Sequence, residues 1–225
     1  GYHKRFAEIC RQNEILYVAD EVVTAFGRLG HFFASESVFG MVPDMITSAK
    51  GLTSAYAPLG ATILSDDIYD VISVPQAEGA MFTHGYTYSG HPVCCAAGLK
   101  NIEIMEREDI CGHVRRTGPY FEQKLATLQD LPLVGDVRGS HFMLCVENVG
   151  NKETKTLLPP EVGVGKRIAD ACQARGVLVR PIAHLNVLSP PLTLRTSEID
   201  ILVDTLRESI TQVASDLVAE GHRLD

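Results

Sequence analysis

The apolar positions change their spacing along the chain, and each change marks an element. Residues 3–13 set Phe6, Ile9 and Cys10 among polar neighbours at helical spacing, which predicts a short helix. Ile15-Leu16-Tyr17-Val18-Ala19 follows as an unbroken apolar run rich in strand formers. Such a run suits a strand buried on both faces of a parallel sheet. Asp20 and Glu21 close its carboxyl end, the end at which open α/β sheets place their ligands. Met45-Ile46-Thr47 and residues 58–64 read as two more short strands. Residues 65–75 read as a helix capped by Ser65, with Asp66 and Asp67 in the first turn, where the dipole favours acid.

The stretch 78–92 has no clear period and is rich in glycine, aromatics and hydroxyls, a texture often tied to function in long irregular segments. From Pro92 to Glu106 small and apolar residues predict a helix packed on the sheet. The texture then changes. An amphipathic helix over 114–129, strands within 133–147, a helix over 164–175, a strand Val177–Arg180 and an extended segment 187–195 follow in order. A last helix is expected from Ser197 to Ala219, capped by Ser197 with Asp200 three residues on. Its apolar stripe is Ile199, Leu202, Val203, Leu206, Ile210, Val213 and Leu217. This order predicts an α/β portion over 1–108 and a small α+β domain over 109–225, with no internal repeat.

Composition narrows the classes. A chain of 225 residues, 45% of them apolar, can bury a substantial core. The net charge of −8 argues against a nucleic-acid or anionic-membrane surface, and no apolar run approaches the roughly 20 residues of a membrane helix. The six cysteines show no CxxC spacing and sit mostly in apolar surroundings, which reads as reduced thiols of a cytoplasmic protein. The chain opens Gly1-Tyr2-His3-Lys4, without Met and without the layout of a signal peptide, so a piece of something longer is expected.

The chemistry gathers at two places. A strand ending in Asp20 is followed, thirty residues after it, by Lys50 on the small-residue turn Ser48-Ala49-Lys50-Gly51. That is the pair a pyridoxal phosphate enzyme needs: an amine to form the Schiff base and a carboxylate to keep the pyridine nitrogen protonated. Six segments in register extend the match. They are 19–30, 43–53, Pro58-Leu59-Gly60-Ala61, His84 to Pro92, Val137-Arg138-Gly139, and Arg180 with Ser189-Pro190-Pro191-Leu192. Together they resemble the class III aminotransferases of fold type I, over essentially the whole chain.

The resemblance implies roles. Lys50 is the catalytic, cofactor-bound lysine and proton shuttle, and Asp20 pairs the pyridinium. Val22 packs on one face of the cofactor ring, although an ordinary core valine reads nearly as well. Thr87, with the Tyr86 backbone, reaches the phosphate in a second subunit, which implies a homodimer with shared active sites; a loop threonine in a turn is the plainer alternative. Arg180 resembles a mobile arginine whose planar fork binds a substrate carboxylate, or else it is a strand-end arginine in a surface ion pair. Arg28 and Arg138 read as framework. Members using ornithine, acetylornithine or 4-aminobutyrate with 2-oxoglutarate commonly carry Gln after Asp-Glu-Val; here Val23 stands there. With the Tyr86-Thr87-Tyr88-Ser89-Gly90-His91-Pro92 form, this points to the branch moving amino groups from ω-amino acids or amines, usually to pyruvate, by ping-pong exchange.

Other patterns carry less. His84 and His91 lack a third ligand at metal spacing, so no metal is expected. Gly163-Val164-Gly165-Lys166-Arg167 lacks the first glycine and the hydroxyl of a phosphate loop. Cys94 and Cys95 are adjacent on a helix and read as packing thiols. The family's phosphate loop and ring-stacking aromatic are not found in these residues. The expectation is therefore a carboxyl-terminal half, completed by the amino-terminal half of the same enzyme or else inactive, with an exposed sheet edge. An aminomutase or a decarboxylase on the same scaffold is the rival activity.

Overall fold

Strand pairing in the first hundred residues is sparse because the apolar runs are short. The computed structural model describes residues 1–74, 78 and 81–224, and its contacts divide into two units, Gly1–Cys111 and Gly112–Asp225. The first unit opens with helix α1 (Tyr2–Gln12), strand β1 (Val18–Asp20), the single turn α2 (Ala34–Ser37) and strand β2 (Met45–Ser48). A 3-10 turn (Lys50–Thr53), strand β3 (Ala61–Leu64), helix α3 (Asp66–Ser73) and helix α4 (Pro92–Arg107) complete it. The strands lie in the order β1-β2-β3, β1 parallel and β3 antiparallel to β2.

Two expectations for this unit need correction. The run Ile15–Ala19 is not a strand buried on both faces: only Val18–Asp20 pairs, and of that run only Ala19 is buried. Ile15, Leu16 and Val18 are about half exposed, at 56%, 58% and 45%. The reason is topological, since β1 is an edge strand bonded to β2 alone among the described strands. Ala19 is buried with Ala7 of α1 and Met41. Ser65 does precede α3, but its hydroxyl makes no capping bond and is buried without a partner among the described residues. Pro75, the expected last residue of that helix, and Gly79 and Ala80 of the irregular stretch lie outside the described residues.

The second unit comprises helix α5 (Ile110–Ala126), strands β4 (Val134–Ser140) and β5 (Met143–Asn148), helix α6 (Val164–Ala174), strands β6 (Arg180–Ile182) and β7 (Leu185–Leu188), and helix α7 (Thr196–Ala219), the start of α5 falling at the division. Its antiparallel sheet runs β4-β5-β7-β6. Side chains alternate along β5, so Leu144, Val146 and Asn148 point inward. Leu144 and Val146 meet Val114, Phe121 and Leu125 of α5, Ile168 and Cys172 of α6, and Ile199, Val203, Leu206, Ile210, Val213 and Leu217 of α7 in one core. For α7, sequence spacing predicts these residues together with Leu202, which is only partly buried against the core. Burial pushes the Cys172 thiol up, against the hydrogen bond of Ser209 and the charge of Arg175.

Here too two boundaries shift. Ser197 does not cap α7: the helix starts at Thr196, and the Glu198 carboxylate accepts the Arg195 N–H at 2.8 Å. Acid at the third position closes the first turn as a hydroxyl at Ser197 was expected to. Residues Val177–Val179 are not in the ladder. Gly176, at φ +87°, ends α6 with the Val177 N–H bonded back to the Cys172 carbonyl, and the sheet is rejoined only at Arg180.

The other face of the sheet carries a cluster of charges. Arg138 of β4 pairs with Glu147 of β5 and lies 3.5 Å from Asp136, and the His184 ring is 3.2 Å from Glu147. Burial tends to raise the Glu147 pKa, but the hydrogen bonds and charges of Arg138 and His184 outweigh it, and the carboxyl lies below its ordinary value. A depressed folded-state pKa means that the unfolded chain takes up the proton first as pH falls. The stability from this cluster is therefore present above the ordinary glutamate range and lost as pH falls toward the lowered value. Glu147→Gln should flatten the acid limb of a stability–pH curve. Phe121→Ala, in the dry core, should cost about 3–5 kcal/mol in urea unfolding with an unchanged slope.

Candidate active site

Parallel pairing sets the site. Val18 lies opposite Met45, Ala19 opposite Ile46 and Asp20 opposite Thr47. Asp20 and the residues following Thr47 thus leave the sheet at the same carboxyl end. β2 ends at Ser48, and Lys50 opens the 3-10 turn two residues later. Lys50 adopts φ +41°, and Ser54 and Ala55 adopt +48° and +62°. Left-handed backbone costs a non-glycine residue roughly 1–2 kcal/mol, and such strain clusters at functional sites. Hydrogen bonds hold it in place: Leu52 N–H to the Ala49 carbonyl at 3.0 Å, Ala55 N–H to the Lys50 carbonyl at 3.3 Å, and the Thr53 hydroxyl to the Ala57 carbonyl at 2.6 Å.

Gly51 explains the small residue after the lysine. A Cβ there would lie 2.8 Å from Phe26 Cβ, so the turn can press against the Ala25-Phe26 backbone only as glycine. Phe26 begins a tight turn in which its N–H bonds the Phe32 carbonyl and Gly27 N–H the His31 carbonyl. Arg28 lies inside that turn, partly buried, and burial lowers its pKa.

Sequence context places Glu21 beside Asp20 at the strand end but assigns it no role, yet it organises this whole region. Its side chain is 3% exposed and accepts four hydrogen bonds. They come from Ala34 N–H at 2.7 Å, Ser35 N–H at 2.8 Å, the Thr24 hydroxyl at 3.1 Å and the Ser35 hydroxyl. A buried carboxylate so surrounded is satisfied, and it ties the strand end carrying Asp20 to residues 34–35. Its backbone N–H also bonds the Thr47 carbonyl at 2.8 Å, extending the β1–β2 pairing by one residue.

Asp20, closing a strand expected to be buried on both faces, is itself exposed, and its partner among the described residues is the Val22 N–H at 3.0 Å. Val22 is partly buried beside it. Lys50 is exposed, in an open depression with Thr53, Tyr56 and Pro58, and its ammonium makes no hydrogen bond or ion pair among the described residues. Tyr86 and Thr87 lie in the same unit, on a segment exposed throughout 81–91. The hydroxyl that closes the turn there is Ser89, which accepts the Tyr86 N–H at 2.8 Å; Thr87 is left exposed. Arg180 belongs to the second unit, exposed at the start of β6 opposite Val187 and without an ion pair among the described residues.

These residues fit a cofactor that carries a cationic ring nitrogen and an aldehyde. A carboxylate and an amine, both free of ion-pair partners in the described residues, stand at one sheet end. Ser48, between them in the chain and 3% exposed, holds a hydroxyl with no partner among the described residues. A buried hydroxyl left unpaired costs free energy unless a bound group satisfies it.

A family model of the class-III aminotransferases matches residues 1–210, and the chain belongs to that family. It is 38% identical over 219 residues to a putrescine–pyruvate aminotransferase of Pseudomonas aeruginosa, covering 97% of this chain and 47% of that protein. A mitochondrial gamma aminobutyrate transaminase of Solanum lycopersicum is 39% identical over 202 residues, 90% of this chain and 39% of its own length. An amine transaminase from an uncultivated Pseudomonas species, solved with pyridoxal phosphate bound, superposes with a TM-score of 0.90 at 41% identity, over 94% of this chain and 48% of that one. The chain spans about half the length of the relatives it matches, or less. These neighbours carry the fold type I architecture, so the α/β class expected from the element order holds. No helix among the described residues is long and apolar enough to cross a membrane.

Glu21→Gln keeps the shape of the side chain but turns an amide donor toward backbone N–H groups. It should lower stability by about 1–3 kcal/mol, read as a shifted urea midpoint. An unchanged midpoint would show that the Ala34 and Ser35 contacts are dispensable.

Proposed function

We propose that this chain carries the lysine-bearing part of a transaminase that moves an amino group from an ω-amino acid or simple amine to a keto acid, pyruvate first among them, by ping-pong exchange. The observation that carries the reading is the register of β1 on β2, which brings Asp20 and the Lys50 turn to one end of one sheet. Pyridoxal phosphate, when bound, supplies an aldehyde that takes up the amino group and a protonated ring that draws off electron density.

The chain's own residues do the rest. Lys50 Nζ would be the attachment point for the cofactor's aldehyde and, once displaced by the amino donor, the base that takes up the donor's α-proton and carries it across the imine nitrogen. Asp20 Oδ atoms hold the ring N–H, a fixed charge that needs no reorganisation during the reaction. Val22 packs on one ring face. The apolar Val23, 40% exposed, offers no polar group where the 2-oxoglutarate-using branch commonly places Gln, and this favours a small keto acid. Arg180 binds a substrate carboxylate through its planar fork and withdraws when the substrate has none.

Exposure of the whole 81–91 segment supports giving the Thr87 hydroxyl and the Tyr86 backbone to the phosphate site of a second copy, so that the active sites of a homodimer are shared. Exposed Ile15, Leu16 and Val18 form a surface suited to the amino-terminal half of such an enzyme.

Lys50→Ala in the full-length polypeptide should abolish the visible absorbance of the lysine-linked cofactor and cut turnover on the order of 10²–10⁴-fold or more. Retention of both would end the assignment. Asp20→Asn should keep the covalent link while slowing turnover. A screen of amines against keto acids should show pyruvate accepted with an ω-amino or simple amine donor; exclusive use of 2-oxoglutarate would refute the acceptor.

A further inference from the structure

We propose that Asn101 is a positioning residue for Lys50, acting through the backbone of the lysine turn. Asn101 lies on α4, fifty residues from that turn in sequence, and its side chain spends every polar atom on it. Nδ2–H₂ donates to the Gly51 carbonyl at 2.9 Å and to the Leu52 carbonyl at 3.2 Å. Oδ1 accepts the Ser54 hydroxyl at 2.7 Å. Two carbonyls on one end and a hydroxyl on the other fix which end of the amide is nitrogen. Nδ2 also lies 3.6 Å from Met105 Sδ on its own helix.

The contact grips the turn where it is strained. Lys50 and Ser54, on either side of the two bound carbonyls, both adopt left-handed backbone. Strain of this kind persists only where surrounding groups over-determine it, and Asn101 supplies three of the bonds that do so. Close packing backs it up: a Cβ at Gly98, one turn earlier on α4, would sit 3.1 Å from Leu59 and 3.8 Å from Leu52.

α4 also begins at Pro92, immediately after the turn in which Ser89 N–H bonds the Tyr86 carbonyl and His91 N–H the Tyr88 carbonyl. One helix therefore starts at the segment proposed for the phosphate and ends its grip on the segment proposed for the amine. Asn101 sets the direction in which the Lys50 amine leaves the sheet. The inference rests on the reading of Lys50 as the cofactor-linked lysine.

The test uses the full-length polypeptide carrying this sequence, loaded with pyridoxal phosphate, as Asn101→Asp, Asn101→Leu and Ser54→Ala. Asn101→Asp keeps the shape and loses both donors; it should lower kcat about tenfold to a hundredfold, with donor KM moving less than about twofold. The pH at which the visible absorbance of the lysine-linked cofactor changes should move by about half a unit or more, with a smaller move in the same direction for Ser54→Ala. In the unloaded polypeptide, Asn101→Leu should speed hydrogen exchange at the Leu52, Ser54 and Ala55 amides, which close the turn. Folded variants with an unmoved absorbance titration and an unchanged kcat overturn the proposal, as does a loss confined to thermal stability. Should Asn101→Asp not fold, Ser54→Ala decides, since Ser54 is exposed. A parent polypeptide that shows no visible band refutes the Lys50 reading itself, a distinct result.

Discussion

Two adjacent strands running the same way put a carboxylate and an amine at one end of a sheet, and the remaining features of the site elaborate that placement. Asp20 faces Thr47 across the β1–β2 ladder, and the Glu21 N–H carries the ladder one residue further to the Thr47 carbonyl. A slip of one residue would turn Asp20 to the opposite face while leaving Lys50 where it is. Register here is held by few ladder bonds, because β1 has only three residues. The buried Glu21 network, which anchors the strand end to Ala34 and Ser35, supplies fixation that so short a strand cannot provide alone.

What could be read beforehand was whatever depends on local spacing. The α7 stripe and the Asp20–Lys50 pairing of types rest on neighbours a few residues apart, or on motifs whose residue types are constrained. Glu21 was not legible in this way. Its partners are backbone amides thirteen and fourteen residues later, and backbone amides leave no mark in a sequence. The same limit hid Asn101, whose partners are carbonyls fifty residues away. The apolar run at Ile15–Ala19 misled for another reason: hydrophobicity states that a segment favours burial, not which described element covers it. Ser197 and Ser65 misled because a capping residue is defined by geometry that several candidates in a row can satisfy.

The two units differ in how completely they satisfy their own apolar residues. In the second, Phe121, Phe142, Leu125, Ile168, Ile199 and Leu206 are fully buried in one core. In the first, the cluster around Ala19 has Ala7 and Met41 as buried companions and Phe26, Leu29 and Leu52 are buried besides, while Tyr69, Val71 and Val74 are more than half exposed. At about 25 cal/mol per Å² of apolar surface, leaving such side chains in water forgoes burial energy that the second unit obtains. The candidate site thus sits in the unit with the smaller core. Its local order rests more on hydrogen bonds to named backbone groups than on packing.

That dependence bears on how strained backbone can coexist with a catalytic role. Three residues of the lysine turn adopt positive φ without being glycine. Substituting glycine at Lys50 would ease the backbone and remove the amine, so the position must accept the strain to keep its chemistry. Gly51 is spent on the close approach to Phe26, not on conformational relief. Bonds within the turn supply part of the stabilisation, and α4 adds to it from outside through both side-chain hydrogen bonds and packing at Gly98 and Leu52. In the role proposed for Lys50, leaving and rejoining a cofactor, a rigid base and a mobile side chain are of advantage. The turn's backbone is hydrogen-bonded on several sides beneath an exposed ammonium that has no partner among the described residues.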